Sequence, residues 1–148
     1  MKQLISIAQG DTVRLEGKSI IITGGGSGIG LACAKLFTNK GAEVAIIGRR
    51  KDRIDLAAKE IEGSILPIVG DVANNKDLDN LVSKTLNTFG KIDIVVNNAG
   101  VFSGSSLHET KSEDWNNVMD TNINSVFQLT KRVLPHMLER EAGTFVHI

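Results

Sequence analysis

Five short β-rich runs, Ser19 to Thr23, Glu43 to Ile47, Ile65 to Val69, Ile92 to Asn97 and Thr144 to Ile148, alternate with helical patterns along the chain. The runs are nearly continuous in apolar residues, so they suit strands covered on both faces better than strands with one wet face. Strands of that kind joined by helices imply a parallel sheet with right-handed crossovers. The fold class read from this order is α/β, a doubly wound parallel sheet. A length of 148 residues with 41% hydrophobic content supports one core, and no repeat, linker or low-complexity tract divides it. Residues 1–148 are therefore read as a single domain.

The helices carry their own signals. After Asn75, the residues Leu78, Leu81, Val82 and Phe89 recur at helical spacing, and Gly90 stands where a C-cap belongs. A long last helix, over 112–140, is expected next. Thr110 and Glu113 have capping-box spacing at its start. Trp115, Val118, Met119, Ile123, Val126, Phe127, Val133, Leu134, Met137 and Leu138 form one broad apolar stripe expected to face the sheet. Pro135 should kink this helix or mark its last turns.

The first strand runs into Thr23-Gly24-Gly25-Gly26-Ser27-Gly28-Ile29-Gly30, and a helical pattern follows directly. The first N–H groups of a helix lack intrahelical partners and sit at the positive end of its dipole, so they can hold a pyrophosphate without a basic side chain. Gly24 is placed to turn the chain out of the strand, Gly28 to let the backbone approach phosphates, and Gly30 to let the helix pack on the sheet. A strict G-x-G-x-x-G does not fit, and a G-x-x-x-x-G-K-[ST] loop fails at Leu31-Ala32. The pattern that fits is T-G-x-x-x-G-x-G. A plain connecting turn remains the alternative.

Several function classes find no support. With 17 basic and 17 acidic residues, the balance gives no argument for nucleic acid or an anionic membrane. Leu4 to Ala8 is too short and weakly apolar for a signal peptide, and no stretch approaches a membrane span. Cys33, the only cysteine, lies four residues before Phe37 on the first helix, which reads as a small buried apolar residue. His108, His136 and His147 are widely spaced, so no metal site is read. An ordinary cytoplasmic protein is expected.

Three further motifs accompany the glycine run: Asp71-Val72 after the third strand, Asn97-Asn98-Ala99-Gly100 after the fourth, and Asp120-Thr121-Asn122 in the long helix. In that order and at those intervals the chain, from about Gly17 onward, resembles the short-chain dehydrogenase/reductase family. The resemblance implies a Rossmann-type sheet in the order 3-2-1-4-5, NAD(H) or NADP(H), and hydride transfer between the nicotinamide and an alcohol or carbonyl. It also implies association through the 112–140 helix into a homo-oligomer.

Site residues follow from the same resemblance. Gly24, Ser27, Gly28, Ile29 and Gly30 would hold the pyrophosphate. The Asp71 side chain and the Val72 backbone would hold the adenine, although aspartate is also a common turn residue. Asn98, Ala99 and Gly100 would admit the ribose and also shape their turn. Asn122 falls on the apolar stripe, where an unpaired buried amide costs about 1–3 kcal/mol. Either neighbouring backbone satisfies it, or it fixes a water in the family's proton relay. At the end of the second strand stand Gly48-Arg49-Arg50, with no carboxylate to bind ribose hydroxyls. Arg49 resembles the family's NADP selector, so NADP(H) is favoured over NAD(H); a solvated basic loop is the alternative.

The family's remaining chemistry needs a serine after the fifth strand and a Tyr-x-x-x-Lys pair. The chain contains no tyrosine, and Ile148 falls inside the fifth strand. Ser103, Ser105 and Ser106 precede the long helix and do not match that serine. The sheet is accordingly expected to be incomplete on its C-terminal side, leaving a strand edge and apolar helix surface uncovered. The leading expectation is the cofactor-binding part of such an oxidoreductase, inactive alone. The alternatives are a non-catalytic dinucleotide-binding or regulatory module and an oligomerisation partner of a full-length relative.

Overall fold

A computed structural model describes residues 15–148; the Leu4 to Ala8 segment lies outside them. Five strands, β1 (Ser19–Thr23), β2 (Glu43–Gly48), β3 (Ile65–Val69), β4 (Ile94–Asn97) and β5 (Thr144–His147), form one sheet in the order β3-β2-β1-β4-β5. Every adjacent pair is parallel, with Ile21 opposite both Ala45 and Val95. Between the strands lie α1 (Gly28–Asn39), α2 (Lys51–Glu60), α3 (Asn75–Phe89), α4 (Ser112–Met119) and α5 (Ser125–Glu139). This is the doubly wound Rossmann-type arrangement read from the sequence.

Strand pleating sorts the core into two layers. Ile21, Ala45, Ile47, Ile68 and Val95 face Leu78, Leu81 and Val82 of α3 and Leu129, Val133 and Met137 of α5. The alternate residues Ile20, Ile22, Val44, Ile46 and Val96 meet Ala34 of α1 and Ile54 and Ala57 of α2. All five residues of β1 are buried, as suits the central strand of such a sheet. With its helices fixed on both faces, the sheet presents the carboxyl ends of β1 to β4 along one rim.

Ile92 and Asp93 fall outside β4, although the sequence reading includes them. Asp93 is spent on other contacts: its carboxylate accepts from the Ser19 N–H at 2.9 Å and from Lys91 Nζ at 3.1 Å, and it also pairs with the Arg140 guanidinium. Burial pushes this carboxyl up, but the hydrogen bonds from Ser19, Lys91 and Arg140 outweigh it and hold the group below its ordinary value. Asp93 thereby clamps the entry to β1 and the end of α5 at the rim opposite the glycine run.

The long helix departs from expectation in three ways. A π-helical turn, Asp120–Asn124, separates α4 from α5. The Thr110–Glu113 capping box does not form: the N-cap of α4 is Lys111, and a 3₁₀ turn at Leu107–Glu109 draws Thr110 back so that its hydroxyl donates to the Ser106 carbonyl at 3.0 Å. The apolar stripe is wider than the face that packs. Thr121, Ser125, Leu129, Val133 and Met137, one residue in four, point inward, whereas Trp115, Ile123, Phe127, Leu134 and Leu138 are exposed. Pro135 sits in the last turns of α5. Elsewhere the helix signals hold, with Gly90 ending α3 in the left-handed conformation; Asn74, which the sequence reading does not single out, caps its start through bonds to the Lys76 and Asp77 amides.

Candidate functional site

A crevice of about 280 Å³ opens at the carboxyl rim, where the connections leaving β1 and β4 diverge to opposite faces of the sheet. Its walls come from four strand ends: Gly24, Gly26 and Ser27 after β1, Gly48 at the end of β2 with Arg49 and Arg50 after it, Gly70 to Val72 after β3, and Asn98 to Val101 after β4. Parallel sheets gather ligands at such a switch point because neighbouring loops part there.

The turn after β1 is tied to the loop after β4 through one hydroxyl. Thr23 Oγ1 accepts from the Asn98 and Ala99 N–H groups, both at 2.9 Å, and faces the Val96 carbonyl at a long 3.5 Å. In return the Asn98 side-chain amide donates to the Thr23 carbonyl at 2.9 Å. Gly24 then turns with φ +69, and a Cβ on it would stand 2.9 Å from Asn98 Nδ2. Gly30 is pinned by the same cluster: its Cβ would lie 2.5 Å from the Gly24 carbonyl oxygen and 2.6 Å from Asn98 Nδ2. The sequence reading has Gly30 accommodating the sheet; its neighbours are the glycine turn and Asn98 instead. Gly28, with φ +54, faces open space.

α1 begins with its N-terminal amides at this turn. Ser27 is the N-cap, makes no side-chain capping bond, and no acidic residue stands in the first turn. The dipole's positive end is therefore left uncompensated beside the crevice. Gly28, Ile29 and Gly30 form that first turn without contributing to the crevice walls, and the Ile29 side chain is exposed.

At the opposite end, Arg49 Nη1 approaches Asp71 Oδ2 at 3.9 Å, a pair exposed enough to contribute little stability. Asp71 Oδ1 accepts from the Ala73 N–H at 3.0 Å, so the turn role of this aspartate is realised. Asn122 lies behind the β4 loop, in an adjoining cavity that shares Ala99 and Gly100. Its amide grips the Val101 backbone in both directions, Oδ1 accepting from the N–H at 2.8 Å and Nδ2 donating to the carbonyl at 2.9 Å. The amide is thus satisfied by neighbouring backbone, and it keeps one lone pair and one N–H unused by that pairing.

Three contributors are not singled out by the sequence reading: the Thr23 hydroxyl, Arg53, which lines the crevice beside Arg49 and Arg50, and Asp77, which accepts from the Asp71 N–H at 2.8 Å. Thr23 is the first letter of the T-G-x-x-x-G-x-G pattern, but its partners lie some 75 residues away in sequence. Among the described residues no cluster of three metal-ligating side chains occurs, and no helix is long and apolar enough to cross a membrane.

The short chain dehydrogenase profile matches residues 18–148. The chain belongs to the short chain dehydrogenase family. It is 37% identical over 139 residues to a 3-oxoacyl-[acyl-carrier-protein] reductase, FabG, of Thermotoga maritima, covering 92% of this chain and 56% of the relative. An uncharacterized oxidoreductase of Staphylococcus aureus is 35% identical over 135 residues, with 90% and 58% covered. Among solved structures, a short-chain type dehydrogenase/reductase from Mycobacterium marinum superposes with a TM-score of 0.85 at 31% identity, covering 90% of this chain and 56% of that one. A short chain dehydrogenase from Bacillus anthracis gives 0.84 at 32% identity, with 88% and 56% covered. The chain spans a little over half the length of these relatives. Family membership identifies an oxidoreductase lineage that uses a nicotinamide dinucleotide.

Proposed function

We propose that the crevice binds NADP(H) in preference to NAD(H) and serves hydride transfer between the nicotinamide and a small alcohol or carbonyl substrate. The observation that carries this reading is the uncompensated N-terminus of α1 meeting a crevice that ends in Arg49. A dinucleotide phosphate needs an anion site and a second cationic site, and this crevice offers both. The amides of the Gly24 to Gly30 turn, with Ser27, Gly28 and Ile29 at the helix start, receive the pyrophosphate. Arg49 receives the ribose phosphate, and Arg50 and Arg53 add positive charge to that wall. Asp71 and the Val72 backbone hold the adenine, while Asn98, Ala99 and Gly100 leave room for the ribose.

When bound, the nicotinamide supplies or accepts the hydride. Asn122 contributes to the proton path, its unused lone pair and N–H orienting a water while Val101 fixes the side chain. The family's proton-donating tyrosine has no counterpart among the 148 residues, which contain no tyrosine. The chain alone is therefore expected to bind without turnover. The balanced composition and the single free Cys33 suit a cytoplasmic setting.

A second proposal concerns association. Trp115, Ile123, Phe127, Leu134 and Leu138 expose apolar surface along one helical stretch, which suits a homo-oligomer formed through 112–140. Sedimentation should show self-association that Phe127→Arg with Leu138→Arg abolishes; a monomer at high concentration would contradict it. Calorimetric titration of the 148-residue chain tests the cofactor reading. NADPH should bind about tenfold more tightly than NADH, and binding of neither would overturn it.

A further inference from the structure

The backbone of Asp71 is held from behind. Its N–H donates to Asp77 Oδ2 at 2.8 Å, and its carbonyl accepts from the Asn74 N–H at 2.9 Å. Asp77 is the third residue of α3, and its own N–H is capped by Asn74 Oδ1 at 3.3 Å, which leaves its carboxylate to reach back over the preceding loop. That loop is pressed close to the helix start: a Cβ on Gly70 would stand 3.0 Å from the Asp77 Cβ. Asp71 Oδ1 is committed to the Ala73 N–H. Among the described residues this leaves Asp71 Oδ2 with only the long approach of Arg49 at 3.9 Å.

An exposed aspartate ordinarily samples several rotamers, and ordering it has an entropic cost on binding. Here the N–H, the carbonyl and one carboxylate oxygen are all tied, so Oδ2 is the oxygen of Asp71 with no hydrogen bond inside the chain and both lone pairs open to a ligand. We propose that Asp77 is a positioning residue for base recognition: by holding the Asp71 N–H it orients Asp71 Oδ2 as the acceptor for the exocyclic amino group of adenine. The inference rests on the reading of the crevice as a dinucleotide site. Asn74 serves the helix rather than the base, since losing its cap would loosen the start of α3 without removing the acceptor for Asp71.

The test compares binding of NADPH with that of its reduced hypoxanthine analogue, which carries an oxygen where adenine has the amino group. The unaltered chain should prefer NADPH by about tenfold, the worth of one hydrogen bond to a carboxylate. Asp77→Ala should bring that ratio within about twofold, mainly by weakening NADPH. Asp77→Asn retains an acceptor oxygen and should keep the preference, and so should Asn74→Ala, which perturbs the helix start alone. Should Asp77→Ala fail to fold, Asp77→Glu, whose carboxylate is displaced by a methylene, is expected to lose the preference in its place. A full preference in Asp77→Ala or Asp77→Glu, an equal loss in Asn74→Ala, or no preference in the unaltered chain would overturn the inference. Failure of the unaltered chain to bind either nucleotide would instead overturn the dinucleotide reading beneath it.

Discussion

Replacing Thr23 by valine removes one hydroxyl and changes almost nothing else. The two side chains have the same shape, and valine is the better strand former, so strand propensity alone predicts a neutral or stabilising change. Thr23 is 3% exposed, and its oxygen serves the N–H groups of both Asn98 and Ala99. Valine orphans both donors. Each unsatisfied buried donor costs about 1–3 kcal/mol, and these two are only partly buried, so a combined loss of about 2–4 kcal/mol follows. At about 2–4 °C per kcal/mol for a chain near this size, the melting temperature should fall on the order of 10 °C. Urea denaturation followed by circular dichroism gives the free energy directly. Thr23→Ser keeps the oxygen and loses a methyl, at about 1 kcal/mol, so the expected order of stability is threonine, serine, valine. Valine at or above the stability of threonine, or serine below valine, would refute the bridging role of the hydroxyl.

Gly30→Ala places a Cβ against the Gly24 carbonyl and the Asn98 amide, so it should cost about 1–3 kcal/mol in a denaturation experiment and weaken NADPH binding with it. Arg49→Ser should weaken NADPH by about 10-fold to 100-fold in a binding titration, as expected for a lost charge-assisted contact, while leaving NADH nearly unchanged. Asp93 has a lowered carboxyl pKa in the folded chain, so its stabilisation is present above the ordinary aspartate value near 4 and is lost as pH falls through the folded value. Urea midpoints of Asp93→Asn should therefore lie well below those of the parent at pH 7, with the gap closing toward pH 3.

Fold class and the end of α3 were legible in the sequence because each rests on local pattern, whereas the strand order came with the family resemblance. Apolar runs of buried strands, the Gly90 cap, and the strand-turn-helix at Thr23 to Gly30 all act within a few residues. Where the reading went astray, the cause was long-range. Ile92 and Asp93 look like strand residues, yet Asp93 answers to Ser19 and Arg140, which periodicity does not register. The long helix carries one broad apolar stripe in sequence, but its inward face is set by where α5 meets α3 and the sheet, leaving Phe127 and Leu138 outside. Gly30 illustrates the same point at the site: its small size is visible in sequence, whereas the atoms that require it belong to Gly24 and Asn98. For Asn122 the sequence left two outcomes open, and Val101 now provides the backbone partner.

The most direct measurement is amide chemical-shift mapping of the 15.9 kDa chain during titration with NADPH. The largest shifts should fall on Gly24 to Gly30, Arg49, Asp71, Val72 and Asn98 to Gly100, with the face carrying Phe127 and Leu138 unmoved. Saturable shifts confined to that helical face, or none at millimolar NADPH in a folded sample, would contradict it.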